Sequence, residues 1–175
     1  MNTKYWLIDN FLTDEELTEA LRMSSEVKYF PPGLNYFKGM RSIVLSALNP
    51  TFDKRIVKKV YGLPISRNTV HLRIDTSFHK LTVDHIENYS LEESAWHTDP
   101  ASYAGVVYLN KNPIAGTGTL LKIDSKILEI ENKFNRAIFY KADVLHRVAG
   151  VKSTNEDARL TLVIFIDSIT LSSKK

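Results

Sequence analysis

The feature that most constrains this chain is the series of short apolar segments filling its second half. Residues 70–74, 81–86, 104–109, 118–123, 136–140, 147–151 and 159–167 are each apolar, with partial period-two alternation. Turn signals lie between them, among them Asn110-Lys111-Asn112-Pro113, Ala115-Gly116, Glu131-Asn132 and the polar run 153–157. About seven strands of this length and spacing predict a β-sandwich or barrel, which closes its own edges.

The first third has a different character. Tyr5-Trp6-Leu7-Ile8 reads as a short strand, and Thr13 with Glu16 three residues later forms a capping-box signature. Asp14, Glu15 and Glu16 suit the positive end of a helix dipole. Leu17, Ala20, Leu21 and Ser24 then share one helical face, with the helix ending near 25–28. Pro31-Pro32-Gly33 breaks the pattern, and residues 29–41 carry Tyr, Phe and Gly without a period, which predicts an ordered loop. Its Tyr29, Phe30, Tyr36, Phe37 and Arg41 would either cover the end of the core or form a lid over substrate. A second helix is expected over 50–61, with Phe52, Ile56, Val57 and Val60 on one side and Gly62 and Pro64 stopping it. The expectation is an α+β fold with a jelly-roll-type core. We expect one domain over 1–175, with 1–64 as an N-terminal strand and helix support and 69–167 as the core.

Composition narrows the chemistry. The chain of 175 residues has no cysteine, which excludes disulfides, thiolate catalysis, zinc fingers and iron–sulfur clusters. A transition-metal site would have to use imidazole from the five histidines, and carboxylate. The net charge of +3 is scattered, so nucleic acid is permitted but not indicated. No segment reaches the ~20 apolar residues of a membrane span, and no secretory signal is evident at the N-terminus. A cytoplasmic protein with no membrane partner is the expectation.

The informative motif is Trp96-His97-Thr98-Asp99-Pro100. In an extended chain, residues i and i+2 point the same way, so His97 and Asp99 can chelate one ion. His146 follows 49 residues later, with room for three strands between, and a jelly roll could return it to the first pair. Two histidines and a carboxylate make a facial triad with open positions, suited to non-haem Fe(II). Arg159-Leu160-Thr161 starts the last strong strand, which is apolar on both faces. A buried arginine there needs a partner. It either reaches water at the strand edge or offers a planar fork to a ligand carboxylate, with Thr161 adding a hydroxyl bond.

The order His97-x-Asp99, His146, Arg159-x-Thr161 resembles the 2-oxoglutarate- and Fe(II)-dependent dioxygenases, and the surrounding sequence resembles their prolyl-4-hydroxylase-like branch. Tyr89 before the first motif, Val107-Tyr108-Leu109-Asn110 after it, and Ile8-Asp9-Asn10-Phe11-Leu12-Thr13 before an acidic helix add to the likeness. The resemblance implies a double-stranded β-helix core with the N-terminal helices packed on one sheet. It implies that His97, Asp99 and His146 hold Fe(II). Arg159 and Thr161 would bind 2-oxoglutarate, with Tyr108 or Tyr89 adding a hydroxyl bond. It further implies O2 as co-substrate, ascorbate as a reductant, and hydroxylation of a C–H bond in a peptidyl (prolyl-like) or small-molecule substrate, with release of succinate and CO2.

The sequence also departs from that pattern. Prolyl hydroxylases commonly use lysine where this chain offers Arg159, and Gly116-Thr117-Gly118-Thr119 replaces their usual middle motif. Phe165 stands where nucleic-acid demethylases of the superfamily carry a second arginine, and Asp99 is absent from halogenating relatives. The alternatives are a nucleotide or nucleic-acid hydroxylase, or a catalytically silent jelly-roll binding module. His71, His79 and His85 read as structural, Trp96 as a packing anchor. Arg147 should face away from the metal, towards substrate or solvent. Arg73 either pairs with Asp75 or lines the cavity.

Overall fold

The computed structural model describes residues 4–31, 39–64, 71–81, 96–149 and 159–169. In chain order these form β1 (Tyr5–Ile8), α1 (Asp14–Glu26), β2 (Tyr29–Phe30), β3 (Met40–Ser42), α2 (Leu45–Leu48) and α3 (Pro50–Tyr61). Then follow β4 (His71–Leu81), β5 (Tyr103–Tyr108), β6 (Thr119–Ile123), β7 (Lys126–Ile130), β8 (Ala137–Lys141), β9 (His146–Val148) and β10 (Arg159–Ile169). The fold is α+β. A seven-stranded sheet runs β1-β8-β5-β10-β4-β3-β2 and a three-stranded sheet runs β7-β6-β9. All these pairings are antiparallel.

Period-two alternation along β10 separates two cores. Leu162, Ile164 and Ile166 point to the helical side, where Phe52, Ile56 and Val60 of α3 and Ala20 and Met23 of α1 bury their apolar stripes. On the opposite face, Val106 and Tyr108 of β5 and Ile138 and Tyr140 of β8 pack against Leu121 of β6 and Ile130 of β7. The large sheet therefore has helices on one side and the small sheet on the other. Arg159, Thr161, Val163 and Phe165 face the small-sheet side by the same alternation.

Local chemistry sets the ends of the elements. The Thr13 Oγ1 accepts the Glu16 N–H at 3.3 Å while Glu16 Oε2 accepts the Thr13 N–H at 2.8 Å, closing the capping box that starts α1. Burial pushes the Glu16 carboxyl up, but the Thr13 N–H and Lys59 outweigh it and hold the group below the ordinary range. Asn49 caps α3 by accepting the Phe52 N–H at 3.0 Å. Asn135 clamps the N-terminal segment to the sheet. Its φ is 59°, its Oδ1 accepts the Leu12 N–H at 2.9 Å, and its Nδ2 donates to the Leu12 carbonyl at 2.8 Å. Gly118 is dictated by close approach, since a Cβ there would lie 1.9 Å from the Ile130 carbonyl oxygen.

Several elements differ from expectation. Residues 29–42 are not all loop: Tyr29 pairs with Ser42 and Phe30 with Arg41, and β3 extends the sheet beside β4. Strands of two and three residues are too short to show a period. Residues 71–81 form one strand rather than ending near 74, because Asp75, Ser77 and His79 occupy the face that carries the site. Four strands, not three, lie between His97 and His146. The extra one, β7, begins after a turn whose Asp124 and Ser125 both have positive φ (49° and 63°). That is a hairpin geometry usually marked by Asn-Gly, and no glycine marks it here. Lid residues Tyr36 and Phe37, and His85 and Tyr89, lie outside the described residues.

Asn135→Ala should destabilise the protein by about 3 kcal/mol, because it orphans two buried backbone groups, against about 1 kcal/mol for Thr13→Ala at the helix cap. Urea unfolding of both variants checks the ranking, and equal losses would contradict the clamp.

Candidate metal centre and co-substrate pocket

His97 sits at an isolated bridge opposite His146, and two backbone hydrogen bonds join them (His97 N–H to His146 carbonyl 3.1 Å, the reverse 2.9 Å). The Asp99 N–H donates to the Ala142 carbonyl at 3.0 Å, which pins the second turn of the motif. One ligand atom from each of His97, Asp99 and His146 falls within 4.8 Å of the others. His146 Nε2 lies 3.2 Å from Asp99 Oδ2, and His97 Nε2 lies 3.9 Å from Asp99 Oδ1. The His146 Nδ1 is 2.9 Å from the Val144 carbonyl, an acceptor that fixes the proton on Nδ1 and leaves Nε2 its lone pair. The donor set is therefore complete, and it is imidazole–imidazole–carboxylate.

The pocket beside it is lined by β4, β5, β6 and β10. Arg159 is 5% exposed, and among the described residues no carboxylate pairs with it. Its Nη2 donates to Thr119 Oγ1 at 3.1 Å, and the Tyr108 hydroxyl donates to the same oxygen at 2.7 Å. The Arg159 Nε and the Thr161 Oγ1 are buried with no hydrogen-bond partner. Buried polar atoms left in this state cost about 1–3 kcal/mol each. A cavity-lining arginine with an unpartnered Nε, and a buried threonine hydroxyl two residues on, fit a carboxylate ligand in type. Burial pushes the Tyr108 hydroxyl up from its ordinary value, against the opposing pull of Arg159 and Thr119. Burial and then the Asp99 charge push Tyr140 up further. Both phenols stay protonated and able to donate.

Sequence reasoning missed part of this floor. Register places Arg41, His79, Thr161 and Tyr108 opposite one another in a single row across β3, β4, β10 and β5. His79, read as merely structural, lines the cavity together with Arg41, Thr119 and Tyr140. Burial, then the charges of Arg41 and Arg159, holds its imidazole well below the ordinary value of 6.5. Alternation along 119, 121 and 123 could have found Thr119; Arg41, expected either to cover the end of the core or to join a lid over substrate, lines the cavity from β3. Arg147 also lines the cavity, although alternation aims it away from His146, because β9 is an edge strand and its long side chain reaches round. Arg73 does both things expected of it, pairing with Asp75 at 3.2 Å and lining the outer cleft. That cleft, of about 460 Å³, continues past Phe165 from His97 and Asp99 to Asp167.

Solved structures share this fold. It is the fold of the 2-oxoglutarate/Fe(II) oxygenases. A prolyl hydroxylase from Trichoplax adhaerens, solved with a hypoxia-inducible-factor peptide fragment, superposes with TM-score 0.66 at 15% identity, over 95% of this chain and 84% of that one. HygX from Streptomyces hygroscopicus, with nickel and 2-oxoglutarate bound, gives 0.65 at 12% identity over 94% and 83%. A prolyl-4-hydroxylase from Pseudomonas putida gives 0.61 at 12% identity over 95% and 93%. These structures have the jelly-roll core that the strand spacing predicted. No protein-family model and no curated protein sequence matches the chain. No helix among the described residues is long and apolar enough to cross a membrane.

The depressed His79 pKa makes a pH prediction. The unfolded imidazole takes a proton below about 6.5 whereas the folded one does not, so stability is full above that pH and falls as pH drops below it. The loss should reach up to about 1.4 kcal/mol per pH unit. Chemical denaturation between pH 5 and 7.5 should show a shallower slope for His79→Gln than for the native protein, and identical slopes would refute the assignment.

Proposed function

We propose that this chain is a 2-oxoglutarate- and Fe(II)-dependent hydroxylase built on a double-stranded β-helix. The observation that carries the reading is one cavity holding both an imidazole–carboxylate triad and a buried guanidinium without an acidic partner. His97, Asp99 and His146 would hold the metal on one face and leave three cis positions open. Fe(II) held there would supply the oxidative chemistry by which one O2 gives one oxygen atom to 2-oxoglutarate, leaving succinate and CO2, and the other to a substrate C–H bond.

The chain's own residues bind and orient. Arg159 offers its fork to the far carboxylate of the co-substrate, and Thr161 supplies a hydroxyl bond beside it. Thr119 already accepts from Tyr108 and Arg159, so its own hydrogen is left to donate. Tyr108 fixes that arrangement from behind rather than touching the carboxylate first. Val106, Val163 and Phe165 line the space between guanidinium and triad and keep it apolar, which strengthens each charged contact. A peptidyl (prolyl-like) substrate is supported by the prolyl hydroxylases among the similar folds, one of them solved with a peptide, and a small molecule remains the second class.

Anaerobic addition of Fe(II) and 2-oxoglutarate should produce a weak visible charge-transfer band, and a folded protein without it would sink the reading. Arg159→Ala should weaken 2-oxoglutarate binding by about 2–5 kcal/mol while the triad still binds Mn(II) in a thermal-shift titration. Asp99→Ala should lose that Mn(II) shift and all succinate formation. Undiminished turnover in Asp99→Ala would remove the carboxylate from the site.

A further inference from the structure

In the proposed hydroxylase site Asp99 belongs to the triad, Arg159 answers the co-substrate's far carboxylate, and Arg73 is paired with Asp75. Arg147 lines the same cavity without any of these roles. Its guanidinium carbon lies over the Trp96 ring, 5.1 Å from the centroid, within cation–π range. Its Nε is buried without a hydrogen-bond partner, and no carboxylate pairs with it among the described residues. Trp96 and Arg147 directly adjoin the two metal-ligating histidines on the paired strands, so the fork stands at the mouth of the metal centre.

We propose that Arg147, lying over Trp96, receives an oxyanion carried by the substrate, a carboxylate or a phosphate ester, beside the metal centre. The proposal rests on the hydroxylase reading. It gives the substrate a polarity: the anionic group lies at Arg147, and the remainder extends into the cleft past Phe165. The fork over the indole is preorganised, so little side-chain freedom is lost on binding. The anion would be read by planar bidentate geometry, which a lysine could not reproduce.

The test uses the full chain loaded with Ni(II) and 2-oxoglutarate, so that Arg159 is already occupied. Acetate, inorganic phosphate and neutral acetamide are titrated by calorimetry. Acetate or phosphate should bind and acetamide should not, and the preferred anion tells a carboxylate substrate from a phosphate ester. Arg147→Gln should weaken the preferred anion at least tenfold and leave 2-oxoglutarate affinity within twofold, with Arg147→Lys in between. Trp96→Leu, which removes the platform and keeps the charge, should also weaken the anion. Binding of acetamide as tight as acetate, or an unchanged anion affinity in Arg147→Gln, overturns the proposal. So does a loss of 2-oxoglutarate affinity in that variant, which would move Arg147 into the co-substrate site. Failure of Ni(II) and 2-oxoglutarate to bind at all sinks the hydroxylase reading instead, and the same anion titrations on metal-free protein then decide Arg147 by itself.

Discussion

Two backbone hydrogen bonds between His97 and His146 fix everything the cavity can do. They hold the two imidazoles together across a backbone bridge, with ring centroids 4.3 Å apart, and so fix His97 although it lies outside any strand. Asp99 then needs only its own bond to Ala142 to bring a carboxylate to the same point. Placing donors on paired backbone rather than on free side chains is what holds a metal site to sub-ångström tolerance. The Val144 carbonyl behind His146 completes that restraint by choosing the tautomer.

The second constraint is a charge buried where the described residues supply no counter-charge. Arg159 opens β10 between two apolar cores, supported by a threonine hydroxyl and the face of Tyr108 rather than by an acid. A guanidinium in that position is stabilised fully only when an anion enters. Stability and ligand affinity therefore draw on the same group, and binding should rigidify the sheet as well as fill the pocket.

How much of this was legible depends on the kind of signal. The strands β5, β6, β8 and β10 showed in the sequence because each is a short apolar run bounded by turn signals, three of them buried on both faces. The capping box of α1 showed because two side chains at fixed spacing do the work. β7 did not, because Ile127 and Leu128 are adjacent apolar residues and Ile127 is largely exposed, which breaks the period. The triad and Arg159 were readable as ordered chemistry along the chain. His79 and Thr119 were not, and Arg41 showed only as a core-cover or lid candidate, since their meeting follows from sheet register, which a single chain does not display. Arg147 was left open between substrate and solvent, because alternation gives the direction of a Cβ, not the reach of a long side chain at a sheet edge.

The placement of β10 between β5 and β4 also orders events during synthesis. All three triad residues leave the ribosome before Arg159 and Thr161, and the strand carrying those two must insert between neighbours already made. Under the proposed hydroxylase reading, a nascent chain would thus possess its metal donors while still lacking the residues that would select the co-substrate. Metal capture could then precede co-substrate capture in the life of each molecule, the central strand closing the sheet and equipping the site in one step.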